Sequence, residues 1–220
     1  MFSRTGTVDG LWSQLGDCNR AGVRYVTSRG ADIGYECLAV GRVRLFVKVD
    51  GAVMLSQERT DESYIRMALR LARDAADCGE VPVGAVAVDE AGRVVARAYN
   101  QVEMLTDGTA HAEMIALTQA AAAVGDWRLQ EVTLYVTKEP CAMCAGAMVN
   151  TRLGRLVYGC PDPRCGAAGS ALNLLNRPGM LHTVSVEGGV CADECLEVLQ
   201  SFFQKQRNQK KEDNEWRADS

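Results

Sequence analysis

From Thr60 onward the chain alternates between two periods of hydrophobicity. "TDESYIRMALRLARDAADCG" sets Ile65, Leu69, Ala72 and Ala76 at helical spacing behind a capping threonine and two first-turn acids, and Gly79 ends it. "VPVGAVAVDEAGRVVARAYN" then reads as two strands about a turn from Asp89 to Gly92. The alanine-rich stretch 106–125 predicts a buried helix, with Thr109 placed to cap it. "EVTLYVT" (131–137) has the pattern of a buried strand, "CAMCAGAMVN" that of a short helix and "GRLVYG" that of another strand. Residues 183–187 offer a weaker fifth strand, and "ADECLEVLQSFFQKQRNQK" closes the pattern as a helix with a basic end. Strands alternating with helices after an opening hairpin predict an α/β fold in three layers, α/β/α, with a mixed central sheet of about five strands.

The first 53 residues have another texture, rich in glycine, arginine and small polar residues. Only "VRLFVKVDGAVML" (43–55) reads as structured there, as a hairpin about Asp50-Gly51, and the remainder as loosely ordered. The expected organisation is therefore an N-terminal extension over 1–53, a globular domain over 54–211 and a flexible tail over 212–220. The extension is expected to be dispensable, with Met54 a candidate start.

Composition narrows the setting. A chain of 220 residues, 47% hydrophobic and 24% charged, supports one domain with a sizeable core. No apolar run approaches the roughly 20 residues of a membrane span, and the N-terminus lacks the order of a secretory signal, so a cytoplasmic location is expected. Nine cysteines, an odd number without regular spacing, argue for reduced thiols or metal ligands over a disulfide framework.

The candidate chemistry lies at two helix starts. In "TAHAE", His111 and Glu113 stand two residues apart, a spacing that does not share a helix face and so is no ordinary stripe or salt-bridge pair. Thirty residues on, "EPCAMC" places Cys141 and Cys144 in the first turn of a helix begun by Pro140, where both thiols point the same way and the helix dipole favours thiolate. A lone Cys-x-x-Cys also suits a redox pair or half of a structural zinc site. Joined by His111 it gives three N/S ligands for one Zn2+ per chain, with the fourth tetrahedral position free for water, a catalytic pattern. Two thiolates cancel the charge of the metal, so its water needs help to ionise. Glu113 is the candidate catalytic group that takes the proton and redelivers it. Cys160 and Cys165 read as ordinary thiols; either one as a fourth ligand would close the site.

These motifs, with "VPVGAV", "TLYVTKEPCAMCAGAM", "GAAGS", "RPGM" and "ADEC…FF", resemble the bacterial tRNA-specific adenosine deaminases of the zinc-dependent cytidine/deoxycytidylate deaminase-like superfamily, over about Asp61 to Lys211. The resemblance implies a cytidine deaminase-like fold and conversion of adenosine to inosine at the wobble position of a tRNA, an arginine tRNA with an ACG anticodon. It further implies a tRNA anticodon stem-loop as partner, a homodimer and no membrane contact. By the same resemblance Asn100, Ala112, Asp162, Arg164, Phe203, Lys205 and Arg207 contact the substrate. Three positions depart from the usual pattern: Gly108 replaces a proline, Lys138 an apolar residue and Arg177 a histidine. A deaminase of a free base or nucleotide would use the same metal chemistry. A noncatalytic, zinc-stabilised RNA-binding subunit would be expected to lack Glu113.

A net charge of −4 is unusual for an RNA-binding protein, but the charge is unevenly spread. Residues 61–149 carry seven basic and thirteen acidic side chains, whereas residues 150–211 carry eight basic against five acidic. The basic half can meet phosphates locally.

Overall fold

The computed structural model describes four strands between residues 23 and 55 and the chain from 60 to 218, with side chains described over 60–211. The chain divides into two compact units, Met1–Glu58 and Arg59–Ser220. In the first, β1 (Val23–Ser28), β2 (Ala31–Ala39), β3 (Arg42–Val49) and β4 (Ala52–Leu55) pair in sequence order as an antiparallel meander. Val49 and Ala52 are cross-strand partners, in keeping with the hairpin read from the sequence, while Asp50 and Gly51 lie outside the described residues. Strands β1 and β2 occupy sequence that the pattern reads as loosely ordered, because their pairing is decided between strands and not within either one. Met54 lies within β4 and so belongs to the first unit.

The second unit holds a five-stranded sheet in the order β6-β5-β7-β8-β9. Its members are β5 (Gly84–Asp89), β6 (Val94–Tyr99), β7 (Val132–Lys138), β8 (Arg155–Cys160) and β9 (Ser185–Gly188). Strand β5 runs antiparallel to both β6 and β7, and β7, β8 and β9 run parallel, giving the mixed sheet. Five helices accompany it among the described residues: α1 (Asp61–Asp77), α2 (Val102–Leu105), α3 (Ala112–Val124), α4 (Ala142–Asn150) and α5 (Ala192–Ala218).

Strand alternation sorts the core into two layers. Ala85, Ala87, Leu134, Val136 and Leu156 point to one face, where Ala112, Ala116 and Ala120 of α3 and Cys144, Met148 and Val149 of α4 pack. Val86, Val88, Tyr135 and Val157 point to the other, against Ile65, Ala68 and Leu69 of α1 and Cys195 and Leu199 of α5. Sheet and helices are thus three layers with two cores. Arg155 of β8 clamps Asp61 with two hydrogen bonds of 2.9 and 2.7 Å, and the Tyr135 hydroxyl donates to the same carboxylate at 2.8 Å, tying the start of α1 to the sheet.

Local signals held at α1. Thr60 caps it, and Gly79 at φ +81° ends it in a left-handed turn closed by Gly79 N to Ala76 O (3.0 Å) and Glu80 N to Ala75 O (2.9 Å). They failed at Thr109. Its hydroxyl and amide both donate to Asp107 (2.7 and 2.8 Å), so Thr109 closes a preceding turn and His111 becomes the N-cap of α3. The four-residue α2 has no periodic signal. Helix α5 runs on to Ala218 through residues read from the sequence as a flexible tail.

Candidate active site

Two helices of one layer begin side by side. His111 is the N-cap residue of α3 and Cys141 that of α4, positions where serine, threonine or aspartate commonly caps, yet neither side chain makes a capping hydrogen bond. Both turn toward Cys144 in the first turn of α4. His111 Nδ1 lies 3.7 Å from Cys141 Sγ and 3.5 Å from Cys144 Sγ, and the two sulfurs are 3.7 Å apart.

These three lengths can be compared with a metal polyhedron. Tetrahedral zinc, with Zn–S of about 2.3 Å and Zn–N of about 2.0–2.1 Å, separates sulfur from sulfur by about 3.8 Å and nitrogen from sulfur by about 3.5 Å. The side chains therefore fit a zinc ion without rearrangement. Among the described residues, the group of His, Cys, Asp and Glu side chains close enough to share a metal is this trio. Cys160 is buried with its sulfur toward Thr137 O, and Cys165 is exposed, so neither closes the fourth position.

The electrostatics suit metal binding. Hydrogen bonds from Cys144 and His111 hold the Cys141 thiol down to about 3, so it is a thiolate. The Cys141 sulfur in turn raises His111. The Cys144 thiol is pushed up by its bond to Cys141, by burial and by Glu113. Glu113, the second residue of α3, is buried, and loss of solvent pushes its carboxyl above the ordinary value.

Beside the trio lies a cavity of about 660 Å³. His111, Cys141 and Glu113 line it with Glu80, Asn100 and Lys138, and Phe202, Phe203, Gln206 and Lys210 of α5 contribute from the other side. Asn100, which follows β6 and is 6% exposed, is thus brought to the trio from another strand. A neighbouring cavity of about 440 Å³ shares Lys138 and Phe203 and adds Arg164 and Arg207, so its lining is basic and partly aromatic.

The six other sequence-predicted substrate residues fall into different places. Arg164, Phe203 and Arg207 line the basic cavity, whereas Lys205 faces a separate groove beside Arg73 and Glu197. Ala112 is fully buried in the core between α3 and the sheet and lines neither cavity. Asp162 is occupied: its carboxylate pairs with Lys138 and accepts from Arg164 N and Cys165 N at 3.0 and 3.2 Å. Lys138, one of the three departures from the family pattern, is thus the partner of a residue the pattern assigns to the substrate.

Two buried glutamates were not singled out in the sequence. Glu139, 2% exposed, accepts from the amides of Asp162 (2.8 Å), Ala168 (3.0 Å) and Ser170 (3.0 Å), so one carboxylate holds the whole 162–170 loop beside the site. Burial alone would raise its carboxyl, but these donors hold it below the ordinary value. Gly166 is required there, since a Cβ would overlap the Glu139 carboxylate. The other is Glu80, 1% exposed. Its only sequence signal is an acid directly after the helix-ending glycine; that of Glu139 is its place before Pro140 and Cys141.

A mixed five-stranded sheet between helical layers, with a His-Cys-Cys trio and a buried glutamate where two helices start, defines a deaminase of the cytidine deaminase-like class. Residues 59–207 match the family model of the MafB19-like deaminases. The chain is 47% identical over 151 residues to the tRNA-specific adenosine deaminase of Haemophilus influenzae, covering 69% of this chain and 87% of that protein. To the tRNA-specific adenosine deaminase of Bacillus subtilis it is 44% identical over 151 residues, 69% of this chain and 93% of the relative. A solved structure from work on A-to-I editing by tRNA:A34 deaminases superposes with a TM-score of 0.60 at 43% identity, over 62% of this chain and 98% of the other. The guanine deaminase of Nitrosomonas europaea, at 22% identity and TM-score 0.58 over 65% of this chain and 84% of its own, shares the fold. The chain belongs to the MafB19-like deaminase family, among the tRNA-specific adenosine deaminases.

Proposed function

We propose that this chain hydrolyses adenosine to inosine and ammonia at the wobble position of a tRNA, an arginine tRNA with an ACG anticodon. The observation that carries the reading is the meeting of His111, Cys141 and Cys144 at zinc-ligand separations, with His111 and Cys141 lining the same cavity as buried Glu113. His111, Cys141 and Cys144 would hold a zinc ion, which would supply a water acidic enough to react near neutral pH. Glu113 takes one proton from the water that attacks C6 of the purine and passes it to N1. Glu113 then moves the second proton from the new C6 hydroxyl to the amino group, which leaves as ammonia. One water is consumed, the C–N bond breaks and N1 keeps its proton, as inosine requires.

The surrounding chain orients the substrate. Asn100 hydrogen-bonds the flipped-out nucleoside, Phe203 offers an exposed ring for stacking, and Arg164 and Arg207 meet flanking phosphates in the basic cavity. Lys205, on the other side of α5, and Asp162, held by Lys138, adjust the RNA path from a distance. No helix of the described residues is long and apolar enough to cross a membrane, and a reducing cytoplasm suits the thiolate ligands. The assembly proposed for the chain, by its likeness to the tRNA-specific adenosine deaminases, is a homodimer. The unit Arg59–Ser220 suffices for this activity, and the first unit is dispensable.

The test is direct. Zinc-loaded protein is offered an ACG anticodon stem-loop beside free adenosine, cytosine and guanine, and inosine and ammonia are measured. Inosine from the stem-loop is expected; turnover of a free base alone would move the protein to the free-base deaminases.

A further inference from the structure

Glu80 sits buried in the cavity wall with both side-chain oxygens committed. Its backbone is pinned by the turn that ends α1. Its Oε2 accepts from Asn100 Nδ2 at 3.0 Å, and its Oε1 accepts from Met104 N at 2.7 Å. Met104 is the third residue of α2, whose N-cap Gln101 makes no side-chain capping bond, so Glu80 caps that helix from a distance. Among the described residues no lysine, arginine or histidine forms an ion pair with it.

With one Glu80 oxygen accepting from Met104 N and the other from Asn100 Nδ2, Asn100 faces Glu80 with its amino group. Its carbonyl oxygen must then point away. That oxygen has no protein donor, yet no buried side-chain polar atom among the described residues lacks a partner, so it opens on the cavity that Asn100 lines. The strand that carries Asn100 fixes where the amide is. Glu80 fixes which end of it the substrate meets.

We propose that Glu80 is a positioning residue that sets the polarity of Asn100, presenting a hydrogen-bond acceptor to the nucleoside. The inference rests on the adenosine deaminase reading. Adenosine offers donor hydrogens only at its amino group and sugar hydroxyls, and its ring nitrogens N1, N3 and N7 all accept. An acceptor at Asn100 therefore reads an amino or hydroxyl hydrogen and repels a ring nitrogen. Glutamine at position 80 would lose this discrimination. Its oxygen would still accept from Met104 N, but its amino group would donate toward Asn100, which would turn over and present its own amino group to the substrate.

A polarity-swap cycle tests the idea: wild type, Glu80→Gln, Asn100→Asp and the two substitutions combined, each assayed on the anticodon stem-loop for kcat and KM, with zinc content and Tm alongside. Glu80→Gln should keep its zinc and lower kcat/KM by about 10- to 100-fold, the effect of one mismatched polar contact. Asn100→Asp alone should lose at least as much, because it sets two carboxylates against each other. Combined, the glutamine donates to one aspartate oxygen and the other faces the cavity as an acceptor, so kcat/KM should recover at least tenfold over either single variant. A role confined to capping α2 would lower Tm without any such recovery. Wild-type turnover with an unaffected Glu80→Gln, or a double variant no better than the worse single, overturns the inference alone. Wild-type protein that forms no inosine from the stem-loop overturns the deaminase reading and this inference with it.

Discussion

His111 and Cys141 occupy the same position in two different helices: each is an N-cap residue in extended backbone, and Nδ1 of one lies 3.7 Å from Sγ of the other. A capping side chain normally bends back to its own helix, and these two bend toward each other. Two helix starts, each with a positive dipole end, thus converge where thiolates and a reacting water need stabilising.

One zinc per chain is the first expectation. Metal analysis of Cys141→Ala or Cys144→Ala should show most of the zinc gone, since a three-ligand site has none to spare. Cys160→Ala should retain it, because that sulfur faces Thr137 O. Full retention in Cys141→Ala would contradict the ligand assignment.

Glu113→Ala separates metal binding from proton transfer. Zinc content should stay near one per chain, while single-turnover deamination slows by about 10²- to 10⁴-fold, the range for losing a general acid-base group. Loss of zinc would make Glu113 a ligand instead.

Glu139→Gln should loosen the 162–170 loop. The new amino group would face the amide of Asp162, setting donor against donor at a bond now 2.8 Å long. The cost is about 1–3 kcal/mol for a buried unsatisfied group. Thermal unfolding should show a Tm several degrees lower, and amide exchange should quicken at Ala168 and Ser170.

Acid should weaken the Lys138–Asp162 contact. Burial pushes the Asp162 carboxyl up, but Lys138 and the amides of Arg164 and Cys165 together hold it below its ordinary value. With the folded value depressed, the contribution is present above the unfolded value of about 3.9 and is lost as pH falls through the folded one. Asp162→Asn should flatten the acid limb of Tm against pH, by an amount matching about 1 kcal/mol or less for so accessible a pair. An unchanged acid limb would assign the pH dependence elsewhere.

Neutralising Arg164, Arg207 and Lys210 should weaken stem-loop binding and make its salt dependence shallower, by about one unit of slope per lost phosphate contact. The single-turnover rate at saturating RNA should change little, since none of the three belongs to the trio. An unchanged salt slope would mean that these side chains only solvate the end of α5 and its neighbouring loop.

Local physics made most of the second unit legible in the sequence. The strands showed as apolar runs, α1 carried its cap and its terminating glycine, and the trio with Glu113 was readable because metal chemistry needs those residue types at helix starts. What pairs across the chain was not legible. That Thr109 serves Asp107, that Lys138 meets Asp162 and that β1 pairs β2 depend on which segments the fold brings together. The same holds for Glu80 and Glu139. As residues they are two acids among 28, and burial beside backbone amides separated from them by 23 to 31 positions gives them their work. The sequence by itself determined the chemistry the site can perform. The tertiary structure decided which polar groups hold it in place, because a buried carboxylate takes its role from the donors that replace its water.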